Sequence, residues 1–189
     1  ASMQDAVPAV PASAIRAVIC EEFGRTPEQL FATFDDEPIA SASIAQVHVA
    51  TLHTGKEVVV KVQRPTIRTQ VYRDLEVMAW LAPFLIGRIP VSALANPPAL
   101  VELFTETITE ELDFRLEAEN MLDVAQSCAE LGQRGVIIAR PHPELVTRRV
   151  LVMERLSGYS FDDLESMQAA GIDTHEVLRR GMAAFTEGC

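Results

Sequence analysis

Lys61 stands in VVVKV, an apolar run in which an ammonium group is costly to bury unless an anion or a carboxylate meets it. Upstream, residues 38–47 read PIASASIAQV, with Ala40, Ser41, Ala42, Ser43 and Ala45 in close succession. A loop of small residues between two strands lets backbone N–H groups approach phosphate oxygens, since no side chain stands in the way. Alanine resists positive φ, so such a loop should be more restricted than a glycine-rich one. In a strand, Val58 and Val60 share one face while Val59 and Lys61 share the other. Val59 could then line a base pocket while Lys61 reaches phosphates. A buried lysine also calls for an acid, and Glu111 lies on one helical stripe with Phe104, Ile108 and Arg115. The chemistry indicated is phosphate binding by backbone donors and a lysine–glutamate pair. The plainer readings are small-residue packing for the loop, an edge-strand guard for Lys61 and a solvated helix face for the acids.

Those side chains need elements to position them. Ser13 offers an N-cap for AIRAVICEEF and Gly24 its stop, and Thr26-Pro27-Glu28 reads as a second helix start. QVHVATL and EVVVKVQ, joined by His53-Thr54-Gly55-Lys56, predict a β-hairpin, with Ile39–Ala42 in a strand before it. Ile67, Val71, Leu75, Met78 and Leu85 form one helical stripe that Pro83 should end or kink. A loop follows over RIPVSALANPP, then one long helix at about 99–130. Strands are predicted at Val136–Ala139 and Arg149–Glu154 around a turn at Pro141-His142-Pro143. A short helix, a break at Gly171 and a further helix from about Thr174 complete the order. The expectation is an α+β fold with a five-stranded antiparallel sheet and one large helix against it. Its divisions are a helical leader over 1–33, a sheet-bearing lobe over 34–156 with a helical insertion at 66–98, and helices over 157–189.

Composition narrows the function. The chain of 189 residues is 48% apolar and 23% charged, which fits a folded globular chain rather than a disordered one. Its formal charge of −11 leaves no basic surplus for nucleic acid. Cys20, Cys128 and Cys189, and the four scattered histidines, show no metal-site or disulfide spacing, so no metal site is expected and a cytoplasmic location is. The apolar run VMAWLAPFLIG is too short to cross a bilayer; a packed helix is the plain reading and a membrane-surface helix the alternative.

Set beside the protein-kinase frame G-x-G-x-x-G-x-V and V-A-I-K, Ala40, Ala42 and Ala45 stand at the glycines, Val47 at the valine and Lys61 at the lysine. LVMERLSG resembles the passage from a kinase strand to the hinge that takes the adenine edge. PIASASIAQVH, VVVKVQRP, EELDFRLEAEN and VLVMERLSG, in that order, resemble the UbiB family of atypical kinases, also called aarF-domain kinases, over about residues 4–189. The resemblance implies a kinase-like N-lobe with an αC-type helix, the start of C-lobe helices, and ATP as ligand. It also implies ATPase or unorthodox kinase chemistry in quinone or isoprenoid-lipid metabolism, peripheral to membranes. Carried over, Lys61 contacts phosphates, Glu111 pairs with it and Asp113 is the second acid of E-x-D. Ala40–Ala45 with Val47 and Val59 form the loop and pocket, and Met153, Glu154 and Leu156 the hinge. The family's K-x-G-Q motif is expected upstream, and its catalytic-loop acid and D-F-G metal ligand downstream, of this sequence. The chain therefore reads as one lobe of a larger enzyme, inactive alone, with Mg2+ bound only in the longer protein. Exposed apolar surface on the last helices predicts self-association, and lipid or lipid-biosynthetic proteins are the other partners expected. A nucleotide-sensing or scaffolding module without chemistry is the competing reading.

Overall fold

The structure, a computed structural model, describes residues 7–86, 96–133, 135–160 and 163–187. Most of the loop expected over RIPVSALANPP lies outside them. The elements run α1 (Ala12–Phe23), α2 (Pro27–Leu30), β1 (Thr33–Phe34), β2 (Ala40–Ser41), β3 (Ala45–Thr51), β4 (Glu57–Gln63) and α3 (Ile67–Leu85). They continue with α4 (Pro97–Glu111), α5 (Phe114–Glu130), β5 (Pro141–Val146), β6 (Val150–Glu154), α6 (Leu164–Ala169) and α7 (Thr174–Glu187).

The strands form one antiparallel sheet in the order β1-β3-β4-β6-β5, with β2 also on β3. The mixed α+β, kinase-like architecture read from the sequence is the one observed. Among the described residues the sheet has six strands rather than five, because the edge strand beside β3 is interrupted. Phe34 faces Ala50 and Ala40 faces Val47, so residues 35–39 bulge out of the ladder. Pro38 has no N–H for a ladder there, and the Asp35 carboxylate accepts from the Glu37 N–H instead (3.0 Å).

Alternation along the central strands splits the core in two. Val58, Val60 and Val62 face α1, packing with Ile15, Val18, Ile19, Val150 and Val152. Ala45 and Leu151 face α5, packing with Phe114 and Ala118. The opposed faces of Val60 and Lys61 thus follow the period-two expectation. Gly24 ends α1 at φ 63°, donating to the Cys20 carbonyl (2.8 Å). That left-handed conformation is one that glycine adopts freely.

Two sequence expectations are corrected. Val136–Ala139 is irregular, and the strand beside β6 is Pro141–Val146, where a turn was expected. It is an edge strand, so a proline's missing N–H costs no ladder bond, and Pro141 pairs with Met153. The turn falls one segment later, where the Thr147 hydroxyl accepts from the N–H groups of Arg149 (3.3 Å) and Val150 (3.1 Å). The long helix over 99–130 is likewise two helices, broken at Leu112-Asp113. Asp113 caps α5 by accepting from the Arg115 N–H (3.2 Å), and Leu112 and Phe114 turn into the core at 1% and 0% exposure.

His48 is fully buried behind the sheet, stacked on Phe34 with ring centroids 5.2 Å apart. Its Nδ1 lies 2.9 Å from the Asp35 carbonyl, which only accepts, so Nδ1 carries the hydrogen of the neutral ring. Burial holds its pKa below the ordinary value, and the Asp35 hydrogen bond offsets part of that shift. The unfolded chain therefore takes up this proton first. The stability it contributes is complete above the unfolded histidine pKa of about 6.5 and is lost as pH falls below it. Unfolding free energies of wild type and His48→Gln should draw together between pH 7 and 5, wild type falling more steeply by up to about 1.4 kcal/mol per pH unit.

Candidate functional site

Strand register assembles the site face of the sheet. Val47 lies across from Lys61 and Lys61 across from Leu151; one row on, Val49, Val59 and Met153 face one another. Ala40 lies across from Val47, which brings the alanine-rich loop to the lysine row. The loop turns tightly, the Ala42 N–H donating to the Ala45 carbonyl (2.8 Å). Among the described residues, positive φ occurs only at glycines, so no position from Ala40 to Ala45 asks for one. Alanine therefore stands in this loop without strain, and its Cβ restricts the alternatives open to glycine.

Helix α5 crosses this face and supplies the acid. Glu117 receives the Lys61 ammonium at both oxygens, 2.8 Å to Oε1 and 2.7 Å to Oε2. The Lys61 Nζ also sits 4.7 Å from the centroid of the buried Phe114 ring. The pairing with Glu111 expected from the sequence is corrected. Glu111 is the exposed last residue of α4, and the break after it turns α5 onto a new axis. A stripe counted through Phe104, Ile108, Glu111 and Arg115 crosses that break and loses its meaning. Within α5, Phe114, Ala118 and Met121 mark the face toward the sheet, and Glu117 lies beside it.

Asp113, the second acid of E-x-D, has a different job from its neighbours. Besides capping α5 it accepts from Arg115 Nε (2.9 Å) and Nη2 (2.6 Å) and from Arg148 Nε (3.2 Å). The Arg115 guanidinium, with the capping bond and Arg148, holds its carboxyl well below the usual carboxylate range. Asp113 is thus committed to the elbow between α4 and α5. Gln63, two residues beyond Lys61 on the same face, secures the other side of that elbow. Its Nε2 donates to the Leu112 carbonyl (2.9 Å) and the Arg148 carbonyl (3.2 Å). Neither Gln63 nor Glu117 is among the site residues expected from the sequence. A fully polar residue continuing an apolar strand was the available signal for Gln63.

Around these residues lies an open cavity of about 670 Å3, lined by Lys61, Glu110, Glu111, Asp113, Glu117 and Asn120 among others. The structure thus brings Lys61, Glu111 and Asp113 to one cavity. Ala40–Ala45, Val47, Val59, Met153, Glu154 and Leu156 are outside its lining; Val47 lies directly across from Lys61, whereas Met153 and Glu154 pair with Val59 and Val58 further along β4, and Leu156 lies past the end of β6. Glu154 ends β6 with its N–H on the Arg140 carbonyl (2.9 Å), while Leu156 is 51% exposed just past it. Lysine has three donors and Glu117 takes two at most, so at least one N–H remains for an anion. Among the described residues no group of three or more His, Cys, Asp or Glu is placed to hold a metal ion. Nor is any described helix long and apolar enough to cross a membrane.

The chain has relatives among known proteins. The chain is 36% identical over 186 residues to the probable protein kinase UbiB of Aeromonas hydrophila, covering 98% of this chain and 34% of that protein. It is 38% identical over 183 residues to the chloroplastic protein Activity of BC1 Complex Kinase 1 of Arabidopsis thaliana, covering 96% of this chain and 26% of that one. The structure of the Rv3197–erythromycin complex from Mycobacterium tuberculosis is similar at a TM-score of 0.67 and 29% identity, over 82% of this chain and 38% of that one. The chain thus spans roughly a third of the length of its curated relatives. Residues 2–189 match the ABC1 atypical kinase-like domain, and this chain belongs to that family.

Proposed function

We propose that residues 34–156 form the ATP-binding lobe of a UbiB-like atypical kinase or ATPase. The observation that carries this reading is the two-oxygen Lys61–Glu117 pair, held one strand away from an alanine-rich loop. A lysine fixed by a glutamate on a helix presents a point charge to phosphates, while the loop offers backbone N–H groups. Val47, beside Lys61, and the next row of Val49, Val59 and Met153 make an apolar face that fits a base, and the backbone after Glu154 fits its polar edge. Phosphoryl transfer also needs a base and magnesium ligands, which we assign to the longer protein, together with action on a quinone or isoprenoid-lipid pathway.

Calorimetry with ATP and ADP, with and without magnesium, tests the binding step on the 189-residue chain. Saturable ATP binding is expected, weakened at least tenfold by Lys61→Ala. Equal affinity in the folded variant would remove Lys61 from the phosphate site. No binding by the wild-type chain would place the site's affinity outside this lobe.

A further inference from the structure

Arg64 follows the last residue of β4 and lies on the side of the sheet opposite Gln63. Its Nε donates to the Ala42 carbonyl (2.9 Å), and its Nη2 to the Ser41 hydroxyl (2.9 Å). The same Nη2 reaches the Pro8 carbonyl (3.0 Å), with the Val7 carbonyl at 3.4 Å. Its backbone N–H donates to the Ile44 carbonyl (2.9 Å). One residue thus ties the strand that bears Lys61 to the alanine-rich loop and to the chain leading into α1.

Beyond its ladder bonds to β3 and the Ala42–Ala45 turn bond, the tip of the loop carries only small side chains. Ala42 and Ser43 are exposed, and their side chains are too small to anchor a turn by packing. A guanidinium presents its donors in a rigid fork, so fixing one acceptor fixes the direction of the others. The leader has a second tie to the same place. The Val10 N–H donates to Gln46 Oε1 (3.2 Å), and Gln46 lies across from Ser41 in the ladder.

We propose that Arg64 is the positioning residue of the alanine-rich loop, and that through it residues 7–8 of the leader set where that loop sits. A shift of the leader then becomes a shift of the loop, because both hang on one guanidinium. The phosphate-binding consequence rests on the function proposed above, whereas the coupling of leader to loop does not.

Amide hydrogen exchange, read by NMR on the 189-residue chain without nucleotide, tests the coupling. In Arg64→Met the amides of Ala42 and Val10 should both exchange at least fivefold faster, while those of Val58–Val62 keep their protection. Wild-type exchange at either Ala42 or Val10 would overturn the proposal. Should Arg64→Met not fold, Arg64→Lys is measured in the same way. It keeps the cation and the stem but loses the fork, and the same joint acceleration is expected; wild-type exchange at either amide again overturns the coupling. Calorimetry separates the two claims. With both amides accelerated and ATP affinity unchanged, the clamp stands and the loop's phosphate role fails.

Discussion

Phe114→Ala should destabilise the chain by about 3–5 kcal/mol, the range for truncating a buried phenylalanine. Phe114 is 0% exposed and packs with Ala45, Ala118 and Leu151, so the cavity left behind is bounded on several sides. It is also the first residue of α5, and its N–H donates to the Arg148 carbonyl (3.1 Å). Loss of the ring therefore loosens the α4–α5 elbow as well as the core. Lys61 loses the aromatic face beneath its ammonium, a contact of roughly 0.5–2 kcal/mol. Chemical denaturation gives the answer as a lower midpoint at unchanged slope. Phe114→Leu keeps most of the apolar volume and should cost about 1–2 kcal/mol, mainly through shape and the missing ring. A loss below about 1 kcal/mol in Phe114→Ala would show that the residue does not hold α5 against the sheet.

The sheet was legible because alternation is a strong local signal. The run from Val58 to Val62 announces two faces, and the structure uses them, one against α1 and one against α5. The hairpin carrying Lys61 was legible for the same reason, as were Gly24 and the gap before α7. What was not legible depends on partners distant in sequence. The break at Leu112-Asp113 falls inside a helical pattern that continues on both sides, and it exists because Gln63 and Arg148 take hold of that elbow from elsewhere in the chain. Because no local signal marks that break, the apparent stripe points Glu111 toward Lys61 and gives Glu117 no distinction from the other acids. The strand Pro141–Val146 was hidden by two prolines, whose tolerance is a matter of being at the edge, which no local window reports.

The choice between Glu117 and Glu111 has a direct thermodynamic readout. In a double-mutant cycle on unfolding free energy, Lys61→Met and Glu117→Gln should show a coupling of about 1–2 kcal/mol, and Lys61→Met and Glu111→Gln less than about 0.5. The size follows from exposure. Side chains of Lys61 and Glu117 are 23% and 37% exposed, which puts the pair between a surface ion pair and a buried one. Two short contacts and a ring beneath the ammonium move it above the surface value. Glu111, exposed at the end of α4, has no hydrogen bond to Lys61. Raising the salt should shrink the Glu117 coupling only in part, because the cavity wall screens one side of the pair from solvent ions. The cycle also bears on ligand binding. Glu117→Gln frees the ammonium from the carboxylate that aims it, whereas Glu111→Gln removes one negative charge from the cavity and leaves Lys61 where it is. An anion that needs an aimed lysine should lose affinity in the first variant and hold or gain it in the second. Coupling of Lys61 to Glu111 instead would mean that α5 presents a different face to the sheet, and the site would have to be rebuilt around the E-x-D acid.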